Sequence, residues 1–168
     1  MHRLSADTMH KVRFELNGAP VEGIAEPRML LTDFLRHQVG ATGTHVGCEH
    51  GVCGACTIQI EGVPARACLT LAVQVDGARL RSVEGLAPEP GRLSVIQEAF
   101  RRHHALQCGF CTAGILMSLD AFLTTNTNPS EDELRDYLSG HICRCTGYGP
   151  IVAAAVDAAA KLRECHDA

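Results

Sequence analysis

Aromatic residues are scarce in this chain, which has five Phe, two Tyr and no Trp among its 168 residues. Long basic runs are missing as well: no run of Lys or Arg is longer than the pair Arg101-Arg102, and the formal net charge is −4. Proteins that bind nucleic acid usually present basic patches, often with aromatic side chains on which bases stack. We therefore expect no nucleic-acid partner.

Long apolar runs are also absent. The longest weakly polar stretch, residues 151–160, is mostly Ala and is broken by Asp157, far short of the ~20 apolar residues that a membrane-spanning helix needs. Residues 1–13 are charged and lack the apolar centre of a signal peptide. Nine cysteines without an export signal fit a reducing compartment. We therefore expect no membrane contact and a cytoplasmic location.

Motifs for nucleotide binding and for hydrolytic catalysis are missing too. Residues 43–47 lack the Lys-Ser/Thr pair of a phosphate-binding loop, and no G-x-G-x-x-G fingerprint occurs. No Ser/His/Asp set or carboxylate pair stands out as machinery that transforms a substrate. We expect neither a flavin or nicotinamide fold nor catalytic residues in this chain.

Cysteine, by contrast, is plentiful, and eight of the nine cysteines fall into two quartets. A [2Fe–2S] cluster binds four thiolates, and the spacing C-x4-C-x2-C followed by a distant cysteine is typical of plant-type ferredoxins. The first quartet has this spacing, whereas the second joins a C-x2-C pair to a later C-x-C pair. The sequence predicts one cluster on each set: Cys48, Cys53, Cys56 and Cys68, and Cys108, Cys111, Cys143 and Cys145.

Residues around the quartets support this prediction. Three sulfurs within nine residues require unusual backbone dihedrals, which Gly51 and Gly54 can adopt, and inward N–H groups can then donate to sulfur. The stretch Q-C-G-F-C over residues 107–111 predicts a turn into a helix N-terminus, where N–H groups favour anionic sulfur. A structural zinc site or reduced core cysteines are the alternatives for either quartet.

Three nearby residues are interpreted separately. Arg144 places a cation beside the second quartet. His50 is expected to be a solvated loop histidine, because the C-x2-H partner motif of a Rieske site is absent. Cys165 has no quartet to join and is expected to be a free thiol.

The first half of the chain predicts a small α+β domain over residues 1–86. The dipeptide Asn17-Gly18 is a hairpin turn signal, and Thr32 and Gly40 are the expected N-cap and stop of a short helix. A second turn is expected at Glu61-Gly62. Strands are predicted at residues 11–16, 21–25, 57–60 and 80–83.

The second half predicts a four-helix bundle over residues 93–168, after a Gly- and Pro-rich linker at residues 84–91. Ser130 and Glu133 form a capping box, and Pro150 is suited to a first helical turn. Helices are predicted at residues 94–104, 112–125, 130–140 and 150 to about 163. The fold class is therefore α+β, with helices following the strands.

The motifs around both quartets resemble those of a known family. They are G-T-H-V-G-C-E-H-G-V-C-G-A-C-T over residues 43–57, then Ala67-Cys68, Q-C-G-F-C-T over residues 107–112 and C-R-C-T-G-Y over residues 143–148. In this order they are similar to the small iron–sulfur subunit of the molybdenum hydroxylases. This family includes xanthine dehydrogenase, aldehyde oxidoreductase, carbon monoxide dehydrogenase and bacterial N-heteroaromatic hydroxylases. The resemblance covers nearly the whole chain.

The resemblance implies a plant-ferredoxin-like β-grasp domain followed by a four-helix bundle that carries the second cluster. It implies a large subunit with molybdopterin, expected in the cytosine dinucleotide form, and a medium subunit with FAD, in a dimer of heterotrimers. Electrons from hydroxylation at molybdenum, with oxygen from water, would pass to the helical-domain cluster, then to the ferredoxin-like cluster and then to FAD. Gln107 and Cys145 match the family residues that lie against the pterin.

Two positions depart from the family pattern. Ala113 stands where the family usually has Pro, and His141 stands where it usually has Asn. Neither change removes a ligand, but His141 is expected to alter hydrogen bonding near the second cluster or the pterin.

We therefore predict an electron-transfer subunit of a molybdenum hydroxylase complex that acts on an N-heteroaromatic substrate, as the separate-subunit enzymes for quinoline or isoquinoline do. Three alternatives stay open from the sequence. One is the small subunit of a carbon monoxide, aldehyde, nicotinate or aromatic acyl-CoA enzyme, another is a free-standing two-cluster ferredoxin, and the third is a zinc-stabilised interaction module.

Overall fold

The computed structural model describes residue 5 and residues 7–166, so the outer ends of both predicted domains (residues 1–4, 6, 167 and 168) lie outside the described residues. The described part contains one five-stranded sheet of order β2-β1-β5-β3-β4. β1 pairs antiparallel with β2 and parallel with β5, and β3 pairs antiparallel with β4 and β5. The strands are β1 (His10–Leu16), β2 (Ala19–Ala25), β3 (Thr57–Ile60), β4 (Val63–Arg66) and β5 (Arg79–Arg81).

The first hairpin follows from the alternation of its sequence. Val12, Phe14 and Leu16 are buried, whereas the residues between them are exposed, as expected for a strand with one face on a core. Asn17 and Gly18 both have positive φ (54° and 82°), which a type I′ two-residue turn requires. The predicted turn and its two strands are confirmed.

For the short helix after the hairpin, the predicted end at Gly40 is confirmed and the predicted N-cap, Thr32, is wrong. α1 (Leu31–Asp33) continues directly as a π-helical segment (Phe34–Val39) and ends at Gly40, whose φ is 81°. The N-cap is Leu30, and Thr32 is buried inside the helix. The extended Leu30 forms a β-bridge with Leu71, and this tertiary contact starts the helix before Thr32.

Four more helices follow the sheet: α2 (Val95–Arg102), α3 (Thr112–Thr125), α4 (Glu131–Leu138) and α5 (Gly149–His166). α3 has the predicted limits. Ser94 and Ser130 cap α2 and α4 with reciprocal side-chain bonds to the third helical residue, as the sequence predicts for Ser130. α5 begins one residue before Pro150, which occupies the first turn, where its missing N–H costs nothing. None of the described helices is both long and apolar enough to cross a bilayer.

Two strand predictions need correction. β4 was not predicted, and the last strand covers Arg79–Arg81 instead of residues 80–83. The N–H of Ser82 donates to the Asn17 side-chain oxygen at 2.9 Å instead of to a strand, and Val83 begins a 3-10 turn. The strand therefore ends at Arg81.

The buried apolar side chains form two clusters. The first lies under the sheet and α1 and extends from Val12 to Leu80 along the chain. The second is formed by α2 to α5 and extends from Leu86 to Ala159. Leu86 is thus already part of the helical core.

Strand β3 joins the two cores. Thr57, Ile58 and Gln59 are all buried, because α3 packs against this strand. The Gln59 amide donates to the Met117 carbonyl at 3.1 Å and to Asp120 Oδ2 at 2.8 Å. Arg81 of β5 donates to the same carboxylate oxygen at 2.7 Å. These bonds hold α3 on the sheet, and its first turn therefore lies beside the loop that precedes β3.

Candidate metal centres

The first cysteine loop, residues 48–56, carries three predicted ligands between α1 and β3. It turns through residues of positive φ: Glu49 at 54°, Gly51 at 76° and Gly54 at 77°. The backbone N–H groups of His50 and Cys53 each donate to Cys48 Sγ at 3.4 Å. These bonds, that from Cys53 first, lower the pKa of Cys48 to about 6, since they stabilise the thiolate. The loop thus favours an anionic sulfur before any metal is considered.

The fourth predicted ligand of this quartet comes from outside the loop. Cys68 lies in a 3-10 turn (Ala67–Leu69) directly after β4, which pairs with β3 and so returns the chain to the loop. Cys56 and Cys68 are buried, and the Cys56 thiol interacts with those of Cys68 and Cys53. Burial raises the pKa of Cys56 to about 11. This thiol would be deprotonated by a bound metal, not by its surroundings.

The second quartet gathers two distant segments. The second cysteine turn, residues 108–111, leads into α3 with Cys111 as its N-cap, and Gly109 in it has a φ of 80°. The C-R-C segment, residues 143–145, connects α4 to α5. Cys145 Sγ lies 3.4 Å from Cys108 Sγ, and the Cys111 thiol interacts with that of Cys143. All four predicted ligands are thus brought together.

Thiol acidity in the second quartet differs from one cysteine to the next and does not follow exposure alone, because the pKa of buried Cys143 is lowered and that of exposed Cys145 is raised. The pKa of Cys108 is lowered, first by the N–H of Phe110, and this thiol is exposed. Burial raises the pKa of Cys111 to about 12. Each quartet therefore combines an accessible, acidic thiol with a less accessible thiol whose pKa is raised by burial, an arrangement in which metal can enter from solvent and be enclosed on the other side.

The donor sets fit a two-iron cluster. Such a cluster takes four thiolates, two on each iron, and each quartet supplies only sulfur. This fit is one of donor type and number, since within residue 5 and residues 7–166 no group of three or more His, Cys, Asp or Glu side chains is placed to hold a metal ion. The approach to the first cysteine loop is narrow: a Cβ on Gly47, the residue before Cys48, would lie 3.2 Å from Cys53 Sγ. The glycines therefore leave room for the sulfurs and for what they bind.

The two quartets are connected by a direct backbone hydrogen bond. The N–H of Ile142 donates to the Cys53 carbonyl at 3.0 Å, and Ile142 is bonded to Cys143. The Cys143 N–H donates to the Tyr148 hydroxyl at 2.8 Å, and that hydroxyl donates to the His141 carbonyl at 3.2 Å. A single hydrogen bond thus joins Cys53 of the first quartet to Ile142, the residue next to Cys143 of the second quartet.

Arg66 donates to the backbone beside both quartets, a role that was not predicted. Its guanidinium donates to the Gly51 carbonyl at 3.4 Å, to the Gly140 carbonyl at 2.6 Å and to the Thr57 hydroxyl. The side chain therefore connects the first cysteine loop with the segment before Cys143. No motif marks Arg66; the one available signal was its position two residues before Cys68.

The second quartet lies open on one side. Gln107, Cys108, Arg144 and Cys145 are all exposed. Large apolar side chains near both quartets are exposed as well: Val52 and Leu69 at 62%, Ile142 at 50%, Phe110 at 47% and Leu106 at 42%. Exposed apolar groups of this size next to a functional centre are typical of protein interfaces.

Three residues that belong to neither quartet have the following positions. The His50 side chain is exposed, and its Nδ1 contacts the Cys48 carbonyl. Cys165 is an exposed thiol on α5. Ala113 is buried in the first turn of α3, and that helix forms without the Pro usual in the family.

Comparison with known families matches both halves of the chain. Residues 28–96 match the model of a 2Fe-2S iron-sulfur cluster binding domain, and residues 82–156 match that of a [2Fe-2S] binding domain. Each matched region contains one complete cysteine quartet.

The chain is similar to whole subunits of oxidoreductases. It is 53% identical to caffeine dehydrogenase subunit gamma of Pseudomonas sp. (strain CBB1), over 86% of this chain and 88% of that one. It is 52% identical to the nicotine 6-hydroxylase small subunit of Paenarthrobacter nicotinovorans, over 88% of each. A chain of quinoline 2-oxidoreductase from Pseudomonas putida 86 superimposes with a TM-score of 0.89 at 50% identity, covering 93% of this chain and 97% of that one.

Proposed function

Since this chain belongs to the small iron–sulfur subunits of the molybdenum hydroxylases, we propose that each cysteine quartet is the complete ligand set of one [2Fe–2S] cluster. The chain is an electron-transfer subunit of an oxidoreductase and contains two 2Fe-2S binding domains. Bound [2Fe–2S] clusters supply one-electron redox chemistry. The proposed ligands are Cys48, Cys53, Cys56 and Cys68 for one and Cys108, Cys111, Cys143 and Cys145 for the other.

The proposed domain arrangement is a plant-ferredoxin-like β-grasp domain over residues 1–86 and a four-helix bundle over residues 93–168. Its support is the pair of separate apolar cores, one under the sheet and one among α2 to α5. Each domain would then bring its own quartet. The burial of Leu86 in the helical core favours a boundary close to that residue.

The proposed partners are a large subunit with molybdopterin, as the cytosine dinucleotide, and a medium subunit with FAD, in a cytoplasmic dimer of heterotrimers. Gln107 and Cys145 are proposed to face the pterin. Both are exposed at the open side of the second quartet, beside the exposed apolar side chains of Leu106 and Ile142. A partner that covered this side would exclude water from these groups and shorten the path to the sulfur of Cys145.

Electrons are proposed to leave the large subunit at the second quartet and to reach the medium subunit from the first. The chain provides a compact connection between them, because the Ile142 N–H donates to the Cys53 carbonyl. The first cysteine loop and the turn after β4 would face the medium subunit with Val52 and Leu69 respectively, both well exposed. The residues of this chain would thus bind the two clusters through which electrons pass, and they would take no part in the reaction of the substrate.

An N-heteroaromatic compound is the proposed substrate of the complex. Caffeine, nicotine and quinoline, which the names of the relatives and of the solved structure mention, each contain an aromatic ring nitrogen. A ring carbon next to such a nitrogen is electron-poor and accepts oxygen derived from water. Because substrate contacts lie in the partner subunit, similarity of this chain supports the class of substrate and not the individual compound.

The observation that carries the proposal is that the thiols of each quartet interact with one another although the cysteines are distant in sequence, and that each quartet has one thiol of lowered pKa and one whose pKa is raised by burial. The test is iron analysis and low-temperature EPR of the native complex, reduced by dithionite and, separately, by a panel of N-heteroaromatic compounds and aldehydes. We expect four irons per chain, two distinct signals and reduction by a member of the N-heteroaromatic set. Fewer than four irons, or one kind of paramagnetic centre, would reject the two-cluster assignment. Reduction by the aldehydes alone would reject the substrate class.

A further inference from the structure

The backbone of α3 lies directly on the first cysteine loop at Gly114. A Cβ at this position would lie 2.1 Å from the Gly54 carbonyl oxygen and 3.0 Å from that of Ala55, so no larger residue fits without movement of backbone. Gly114 follows Cys111 by one helical turn, and Gly54 is bonded to Cys53. The contact therefore joins two residues that each lie beside a proposed ligand, one from each quartet.

The glycine at 114 has no local explanation. It lies inside α3, where Gly is less favourable than Ala, and its φ is not positive. Gly54, by contrast, has a φ of 77°, which alone favours glycine. Close approach of the two segments is the one feature at Gly114 that requires the absence of a side chain.

His141 contacts Gly54 from a second element. A Cβ on Gly54 would lie 2.4 Å from His141 Nδ1 and 3.0 Å from the Gly140 carbonyl oxygen. The imidazole is 3% exposed, and its Nε2 lies 2.7 Å from the Ser118 hydroxyl, one turn beyond Gly114 on α3. Among the described residues Nδ1 has no hydrogen-bond partner. His141 therefore supports Gly54 by its shape, anchored to the same helix that contacts the loop through Gly114.

We propose that Gly114 and His141 are positioning residues that hold the Gly54 backbone and so fix the separation of the two clusters. This inference rests on the proposed function, because it concerns the distance between two bound clusters. Electron transfer and magnetic interaction both weaken steeply as two centres move apart. A side chain at 114 would displace the loop, and with it the Cys53 carbonyl that accepts from Ile142, without touching a ligand.

The test is Gly114→Ala in the native complex, with Gly149→Ala as the matched control. Gly149 also lies in a helix next to a cysteine motif, but a Cβ there meets nothing within 4 Å and its φ is not positive. After full reduction, the readout is the magnetic interaction between the clusters, seen as line splitting or faster spin relaxation. We expect Gly114→Ala to keep both individual signals and lose much of this interaction, and Gly149→Ala to keep both.

A second variant covers the case in which Gly114→Ala does not assemble both clusters. His141→Ala removes the imidazole that packs against Gly54 and its contact with Ser118, and we expect a smaller loss of the magnetic interaction with four irons retained. An unchanged interaction in Gly114→Ala with both clusters present, or in His141→Ala where Gly114→Ala fails to assemble, would overturn the inference. If the unaltered complex itself has fewer than four irons, the proposed function fails instead.

Discussion

The two cysteine quartets have similar surroundings but are assembled from different kinds of chain segment. The first collects three sulfurs from one glycine-containing loop and a fourth from the turn after β4. The second joins a turn at the start of α3 to a segment between α4 and α5. In both, backbone N–H groups lower the pKa of an accessible thiol, and burial raises the pKa of another. Loop conformation therefore organises the first site, whereas helix packing organises the second.

The largest expected effect comes from removing a buried or half-buried ligand from one quartet at a time. Cys68→Ser should remove the first cluster and leave the second, with a loss of about two of the four irons. Cys111→Ser should do the reverse, since each quartet is a separate ligand set. Iron analysis with EPR of the reduced complex checks both variants. Loss of all iron in both would show that the quartets do not assemble independently.

Substitution of an exposed ligand should have a smaller effect that is confined to its own quartet. Cys145→Ser keeps an oxygen donor at the open side of the second quartet, so we expect its EPR signal to shift or weaken while that of the first quartet is unchanged. The reduction potentials of the two signals, measured by redox titration, check this difference. Equal loss of both signals would contradict the assignment of Cys145.

Arg66 is common to both quartets, because it donates to one backbone carbonyl beside each of them. Arg66→Ala removes charged hydrogen bonds to the Gly51 and Gly140 carbonyls. We therefore expect the free energy of unfolding to fall by about 1–3 kcal/mol. The measurement is the urea midpoint for loss of visible cluster absorbance, and both clusters should become labile together.

The matched control for Arg66 is Arg79→Ala. Arg79 donates to Glu61 at 2.8 Å, but both side chains are exposed to solvent, which screens the pair, so we expect little or no change in the urea midpoint. Equal midpoints for the two variants would show that Arg66 adds nothing beyond a surface ion pair.

The smallest effect is expected at the cysteine outside both quartets. Cys165 is exposed on α5, and Cys165→Ser should leave iron content, both EPR signals and the urea midpoint unchanged. A fall towards two irons per chain would show that this thiol belongs to a cluster after all.

Much of the local structure was predictable because its causes are local. Asn17-Gly18 permits positive φ at both turn residues, and the Ser130 capping box acts within one helical turn. The N-cap of α1 was not predictable, since Leu30 is fixed by a bridge to Leu71 far along the chain. β4 was missed because it is short and contains Pro64, and its pairing with β3 decides its conformation.

The two proposed ligand sets were predicted from the sequence, because ligand spacing and glycine positions are set by the covalent chain. How the two sets lie relative to each other depends on the packing of the folded chain. The Gly114 contact with Gly54, the Ile142 bond to the Cys53 carbonyl and the two-sided role of Arg66 join residues far apart in sequence. Such contacts arise from the packing of α3 on β3, and no local pattern encodes the distance between two packed surfaces.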